Sequence, residues 1–333
     1  MALPHSPCRD CESPSGLDRR QFVAALGASA LAAGTLSLRS HTAFAAPSRQ
    51  SSAESAVARL HESLSAEQKK EICLGWDDKR RTNISANWHV TKANVGGLSA
   101  DQQKIVHDIL RGVASEDGYE KFLLQMDADH GGIDNYAVAI VGDPAPREED
   151  AEDGKFQFML TGRHLTLRAD GDTTPGAAFG GPIVYGHGES TPSKNYFFYQ
   201  TKRANELFSA LDPDQRKKAL LARAPNETAV QLRGGEAKLP GISGGDLKDD
   251  QRELLGNVLA DVLSPYRQED VDEVMDCLKA GGGLEKLHMA FYQQGDLEDD
   301  GVWDVWRVES PTIVCHFRGA PHVHAYINIA RKS

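Results

Sequence analysis

The sequence predicts an α+β fold, with helices and mostly antiparallel strands in one mature domain. Two observations carry that expectation. Helix starts and strand-like runs come in blocks, in the order helices, strands, helices, strands, without a regular βα alternation. No glycine-rich dinucleotide turn opens any of the helical patterns, which argues against a doubly wound sheet.

The helices announce themselves through one short pattern that recurs four times: Leu64-Ser65-Ala66-Glu67-Gln68, Leu98-Ser99-Ala100-Asp101-Gln102, Leu211-Asp212-Pro213-Asp214-Gln215 and Leu247-Lys248-Asp249-Asp250-Gln251. In the first three, Ser or Asp caps a helix while the Gln three residues later reaches back to the cap, and the leading Leu acts as a hydrophobic staple. Acidic residues in the first turn suit the helix dipole. The fourth copy has Lys248 where a capping residue belongs. After Ser99, Ile105, Ile109, Leu110 and Val113 recur at helical spacing, as do Leu254, Leu255, Val258, Leu259 and Val262 after Leu247. A further helix is expected over Val271 to Leu278.

Strand signals fall elsewhere. Tyr136 to Val141 is a continuous run ended by Gly142-Asp143-Pro144, and Phe156 to Leu167 reads as a hairpin turning near Gly162. Phe197-Phe198-Tyr199 is a further candidate. Trp303 to Val308, Thr312 to Phe317 and Val323 to Ile329 read as three successive strands. Residues 143–155 and 230–247 are loops rich in Gly, Pro and charge. A weak two-part organisation is visible, since paired helix starts precede a His-bearing strand region each time.

Residues 1–45 read as a twin-arginine export signal. Arg19-Arg20 precede an uncharged, mildly apolar stretch from Phe22 to Leu38, and Ala43-Phe44-Ala45 supplies a small-x-small cleavage pattern. The stretch is too short and too weakly apolar to span a membrane. Residues 46–63 are expected to be a mobile linker, and residues 64–333 a single domain. The expected location is periplasmic or secreted, with the twin-arginine machinery as a partner and no stable membrane anchor. With 37 Lys and Arg against 48 Asp and Glu, the net charge of −11 disfavours nonspecific binding to nucleic acid. Only Cys73, Cys277 and Cys315 follow the leader, so the fold must rest on its hydrophobic core.

The chemistry gathers at the histidines. His322-Val323-His324 lies in an expected strand, where alternation puts both imidazoles on one face. His316 ends the preceding strand, and Arg318-Gly319-Ala320-Pro321 connects the two. Three imidazoles so close suit Zn, Cu, Ni or Fe(II) better than Mg or Ca. His187 follows Gly180 to Gly186, which reads as a glycine-rich loop able to approach a ligand, and is a candidate pocket residue. Asp129-His130 reads as a solvated acidic turn, and His89, His107 and His288 as surface or packing residues. Cys315 beside His316 makes no dyad, because alternation points the two apart.

Phe291-Tyr292-Gln293, Gly301 to Val308, Pro311-Thr312-Ile313-Val314, His322-Val323-His324 and Thr161-Gly162-Arg163-His164-Leu165-Thr166-Leu167 together resemble the bacterial family called domain of unknown function 3500. The Leu-x-x-x-Gln helix starts and Leu239-Pro240-Gly241-Ile242 fit it as well, and the resemblance spans roughly residues 64–330. It implies that His164, His322 and His324 belong to the family's pattern. Where the family often has a second histidine, this chain has Arg163. Where it often has a carboxylate, Cys315-His316 stands here, with no acid between Thr312 and Ile329. His316 is thus the candidate to replace that acid, giving a metal set of His164, His316, His322 and His324.

Two functions compete. One is an exported metal-dependent hydrolase or oxidoreductase, with Arg163 or Arg318 holding an anionic group of a small-molecule ligand. The other is a non-catalytic periplasmic protein that carries a metal or small ligand; the lack of an acid in the C-terminal motif favours it unless Glu309 or a distant residue serves. No Gly-x-Ser-x-Gly elbow supports serine catalysis.

Changing Arg19 and Arg20 together to Lys is expected to block export, with precursor accumulating in the cytoplasm. Fractionation and N-terminal sequencing check this. Normal processing of the double variant near Ala46 would remove the twin-arginine assignment.

Overall fold

The computed structural model describes residues 46–145, 154–235, 237–297 and 300–331. The export leader expected over residues 1–45 lies outside the described residues. The fold is α+β. Helices α1 (Ser52–Ser63), α2 (Ala66–Ile72), α3 (Ala100–Val113) and α4 (Glu116–His130) precede strands β2 (Ala137–Gly142), β3 (Phe156–Gly162), β4 (Leu165–Ala169) and β5 (Ile183–His187), with a short β1 (Cys73–Leu74) after α2. The series then repeats. Helices α5 (Tyr199–Ala210), α6 (Pro213–Ala219), α7 (Asp249–Leu263) and α8 (Gln268–Ala280) precede β8 (His288–Tyr292), β9 (Val305–Glu309), β10 (Ile313–Arg318) and β11 (Val323–Ile329), with short β6 (Leu220–Leu221) and β7 (Ile242–Ser243) between α6 and α7.

All eleven strands form one sheet in the order β1-β2-β3-β4-β5-β11-β10-β9-β8-β6, with β7 paired to β8 at one side. The order runs through the first half of the chain and then backwards through the second. The antiparallel β5–β11 pair sits at the middle, so the sheet has an approximate two-fold arrangement. The matching edge pairs, β1–β2 and β6–β8, are the parallel ones. This is the physical content of the two-part pattern in the sequence.

The helices cover one face of the sheet. Their apolar stripes and the alternate strand residues Val138, Ile140, Leu160, Leu167, Ile183, Val308, Ile313, Ile327 and Ile329 form the main core. The opposite face is capped by irregular chain and holds smaller apolar clusters around Met159 and Val90, Val184 and Tyr326, and Ala290 and Tyr292. Two buried arginines tie that irregular chain down. The Arg168 guanidinium donates to the carbonyls of Pro182, Asn83 (2.9 Å) and Arg81, and that of Arg307 donates to Ala229.

The recurrent Gln has a role beyond capping. Gln68 and Gln102 exchange reciprocal amide hydrogen bonds of 2.9 and 3.0 Å, while each Oε1 also accepts from its own cap, Ser65 or Ser99. Gln215 and Gln251 repeat the arrangement at 2.8 Å in both directions. Lys248 supplies only its backbone N–H to Gln251 Oε1, at 3.0 Å, so the fourth copy keeps half of the box. Each motif pair is therefore one clasp joining the starts of two helices.

Three expectations are corrected. Residues 46–63 are not a mobile linker. They carry α1, whose Ala53, Ala56, Val57 and Leu60 are fully buried, and whose Glu54 makes a bidentate ion pair with Arg267 at 2.7 and 2.9 Å. The Ser and Ala content there reflects close helix packing. Phe197-Phe198-Tyr199 is not a strand but the entry to α5; its aromatic density serves the core, with Phe197 4.9 Å from the Tyr185 ring. The glycine-rich stretch before His187 contains β5, a central strand buried on both faces, which hides the alternation that would mark it.

Gln251→Ala removes a buried amide that donates to Ala210 O and Gln215 Oε1 at 2.8 Å. It takes a donor from the Ala210 carbonyl and one of two from Gln215 Oε1, which keeps the Asp212 N–H, so a loss of about 1–3 kcal/mol is expected in denaturant unfolding. A cost below about 0.5 kcal/mol would mean that the clasp is not a structural tie.

Candidate metal centre

The site forms where two strand starts meet at the same end of the sheet. Leu165 at the start of β4 pairs with Tyr185 of β5, so one step back His164 comes level with Gly186. Gly186 in turn pairs with His324 near the start of β11. The middle strand contributes no side chain to this row, and a Cβ on Gly186 would collide with the Val323 carbonyl. Histidines on strands two apart therefore meet across a glycine. The ring centroid of His164 lies 5.0 Å from that of His322 and 4.9 Å from that of His324.

Local geometry aims each ring. Arg163 and His164 form the two-residue connection between β3 and β4, and His164 takes a left-handed backbone with φ 58°. For a non-glycine residue that conformation costs about 1–2 kcal/mol, and strain of this kind gathers at functional sites. The turn is held by Tyr136, whose hydroxyl donates to the Arg163 carbonyl at 2.6 Å, and by Gln125, whose amide donates to it at 3.1 Å. On β11, Val323 faces the helical core, while His322 and His324 share the other face with Nε2 atoms 3.0 Å apart.

Two carboxylates hold the outer sides of these rings. His164 Nδ1 lies 2.7 Å from Asp129 Oδ2, and Asp129 also accepts from the Gln125 amide at 2.8 Å and the Gly188 N–H at 2.9 Å. Both side chains are 5% exposed, so Asp129 is an interior partner of His164 and not part of a solvated turn. Burial opposes ionisation of Asp129, yet the hydrogen bonds from His164 and Gln125 hold its carboxyl below the usual range. His324 Nδ1 lies 3.3 Å from both oxygens of Glu227. Burial again opposes, but hydrogen bonding to His324 and the nearby Arg318 charge bring Glu227 to about 2. With Nδ1 facing a carboxylate in His164 and His324, both rings turn Nε2 inward, the arrangement that orients and strengthens metal-binding imidazoles.

His322 and His324 are held towards their neutral forms. Burial, then the positive potential of His324, His164 and Arg318, lowers His322 to about 4, and burial also lowers His324. Neutral imidazoles present lone pairs. The candidate ligand atoms of His164, His322 and His324 all lie within 4.8 Å of one another. Nitrogens around tetrahedral zinc are roughly 3.4 Å apart, given bonds of ~2.0–2.1 Å, so a ring shift of under about 2 Å closes the set. Nitrogen donors of this kind suit Zn, Cu, Ni or Fe.

His316 stays outside this group. It is 2% exposed on β10, and its Nδ1 accepts from Arg307 Nε at 3.3 Å. Burial and the Arg307 charge lower it to about 3. Its visible work is to brace Arg307, which holds the Ala229 carbonyl two residues from Glu227. Glu309 lies with Arg307 and Arg233 at 3.4 and 3.5 Å, so the acids of the site are Asp129 and Glu227. Neither was marked in the sequence. Asp129 stands four residues after Gln125 on α4, and Glu227 follows Pro225-Asn226 in irregular chain, so only tertiary contact identifies them.

Beside the triad runs a polar cleft. One part, about 360 Å³, is lined by Asp129, Arg163, His187 and Gly188, and continues past Glu189 into a part of about 440 Å³ lined by Lys194, Asn195 and Tyr196. His187, expected as a pocket residue, does line it, stacked on Tyr196 at 4.3 Å. Arg318 stands over the triad itself, with Nη2 2.8 Å from His324 Nδ1 and 3.4 Å from His322 Nε2. No described helix is long and apolar enough to cross a membrane.

This architecture defines a two-halved α+β protein with a buried histidine triad between the halves. Residues 47–329 match the family model described as Protein of unknown function (DUF3500), and the chain belongs to that family. No curated protein and no solved structure matches it.

Asp129→Asn keeps the shape but removes the charge behind His164. Metal affinity is expected to fall about 10–100-fold, the usual cost of losing such a partner. Chelator competition with Zn measures it, and unchanged affinity would remove Asp129 from the metal reading.

Proposed function

We propose that this is an exported, periplasmic metal-dependent enzyme whose His164, His322 and His324 hold one transition metal ion through their Nε2 atoms. The observation that carries the reading is the convergence of three imidazoles, two of them backed by carboxylates, beside a polar cleft. A structural histidine cluster needs no such inward-facing lone pairs.

Three protein ligands leave an open coordination position. A transition metal held there would supply an activated water for hydrolysis, or with iron or copper a centre for oxidation. The chain's own groups do the rest. Asp129 and Glu227 fix ring orientation, Arg163 and Arg318 provide positive charge for an anionic substrate group, and the cleft along His187 and Tyr196 receives the remainder of a small molecule. The twin-arginine route suits a protein folded around its cofactor before export.

Wild-type protein, purified without a His tag and without chelators, is expected to contain about one metal per chain or to gain thermal stability with Zn, Cu, Ni or Fe(II), since a ligand of the native state stabilises it. His322→Ala should lose the metal and keep the fold. His107→Ala should change neither, because His107 sits on α3 beside Tyr119. Absence of metal and of any thermal shift in wild type would overturn the metal reading.

A further inference from the structure

We propose that the histidine centre takes up its metal ion together with an oxyanion that bridges the ion and Arg318. The inference rests on the metal reading above and adds the class of the second ligand.

The argument starts from where the guanidinium lies. Arg318 Nη2 is 2.8 Å from Nδ1 and 3.0 Å from Nε2 of the same His324 ring, and 3.4 Å from His322 Nε2. The two lone pairs of one imidazole diverge, so a single amino group cannot satisfy both. Nη2 instead sits against the His324 ring, 3.0 Å from its inward nitrogen and 3.4 Å from that of His322. A metal ion bound to those nitrogens displaces it, yet Arg318 remains next to the ion, because β10 and β11 fix it opposite His324 in register. A guanidinium cannot shed its charge.

Both carboxylates already have partners behind the rings, and one of them, Glu227, also pairs with Arg318. Glu227 is 3.6 Å from Arg318 Nε, but its oxygens face His324 Nδ1, on the outer side of the ring. Asp129 is likewise held behind His164 by Gln125 and Gly188. The inner side therefore presents the imidazole nitrogens, with the Arg318 guanidinium beside two of them, to an incoming dication. An oxyanion resolves the conflict: one oxygen takes the open position, and another accepts from the guanidinium fork, whose geometry matches carboxylate and phosphate. A monatomic anion such as chloride has no second oxygen for the fork. Carboxylate, bicarbonate and phosphate share the required chemistry, and the adjoining cleft with Arg163 opens towards solvent.

The test is zinc binding to the purified full-length mature protein, by chelator competition at matched free zinc. Binding is measured in chloride alone and then with acetate, bicarbonate or phosphate. Wild type should bind on the order of tenfold more tightly with at least one oxyanion, within the usual range of coupling between two ligands. By linkage, zinc must raise that anion's affinity by the same factor. Which anion acts identifies the source. Arg318→Met should bind zinc tightly in chloride alone and lose the anion effect, while Arg318→Lys, which keeps the charge, should retain weak binding in chloride. Circular dichroism checks that each variant is folded, and the wild-type comparison stands without them. Zinc affinity indifferent to all three oxyanions would overturn this inference and leave the metal centre standing. Failure of wild type and both variants to bind Zn, Cu, Ni or Fe(II) under any condition would overturn both.

Discussion

The register between β5 and β11 governs the site. His324 pairs with Gly186, and the β4–β5 register brings His164 level with that same glycine. Side chains alternate along a strand, so slipping either pairing by one residue would send a histidine to the opposite face. The missing side chain at Gly186 is equally necessary, because any larger residue there meets the Val323 backbone and fills the gap that the rings cross. Everything chemical follows from this row: the ring contacts, the inward Nε2 atoms and the place of Arg318 above them.

Electrostatics then separates an outer shell from an inner one. Burial favours the uncharged forms of His322 and His324, while the partly desolvated Asp129 and Glu227 stay ionised because donors surround them. Negative charge lies behind the rings, and the Arg318 guanidinium lies against those of His322 and His324.

The two halves of the chain share their scaffolding and differ in their chemistry. Each has a glutamine clasp, a parallel edge pair and a four-strand series. The β3–β4 turn carries His164 against Asp129 of α4. The corresponding β9–β10 turn carries Thr312, whose hydroxyl donates at 2.7 Å to the Cys277 carbonyl of α8. The same hairpin-to-helix contact is thus a histidine–carboxylate pair on one side and a hydroxyl–carbonyl bond on the other. His316 braces Arg307, which explains why its nearness in sequence to His322 does not bring it into the triad.

Local physics made much of the fold legible in the sequence. Capping boxes marked three helix starts, because Ser, Asp and Gln satisfy the first backbone N–H groups wherever the chain goes, and the shared Leu-x-x-x-Gln pattern marked a fourth. Alternation put His322 and His324 on one face of a strand, since that direction is set by the backbone alone. The Thr161–Leu167 segment placed His164 in a hairpin. Only the tertiary structure decided the rest. Glu227 and Asp129 are 97 and 35 residues from the histidines they touch, in segments without a local signal. α1 looked like a linker because small residues that pack closely against a neighbouring helix have the same composition as flexible chain. β5 looked like a loop because a strand buried on both faces loses its alternation, and its glycine is there to admit two histidines. Spacing along a chain fixes which face a residue occupies, whereas the partner across that face depends on sheet order and register, which no single segment contains.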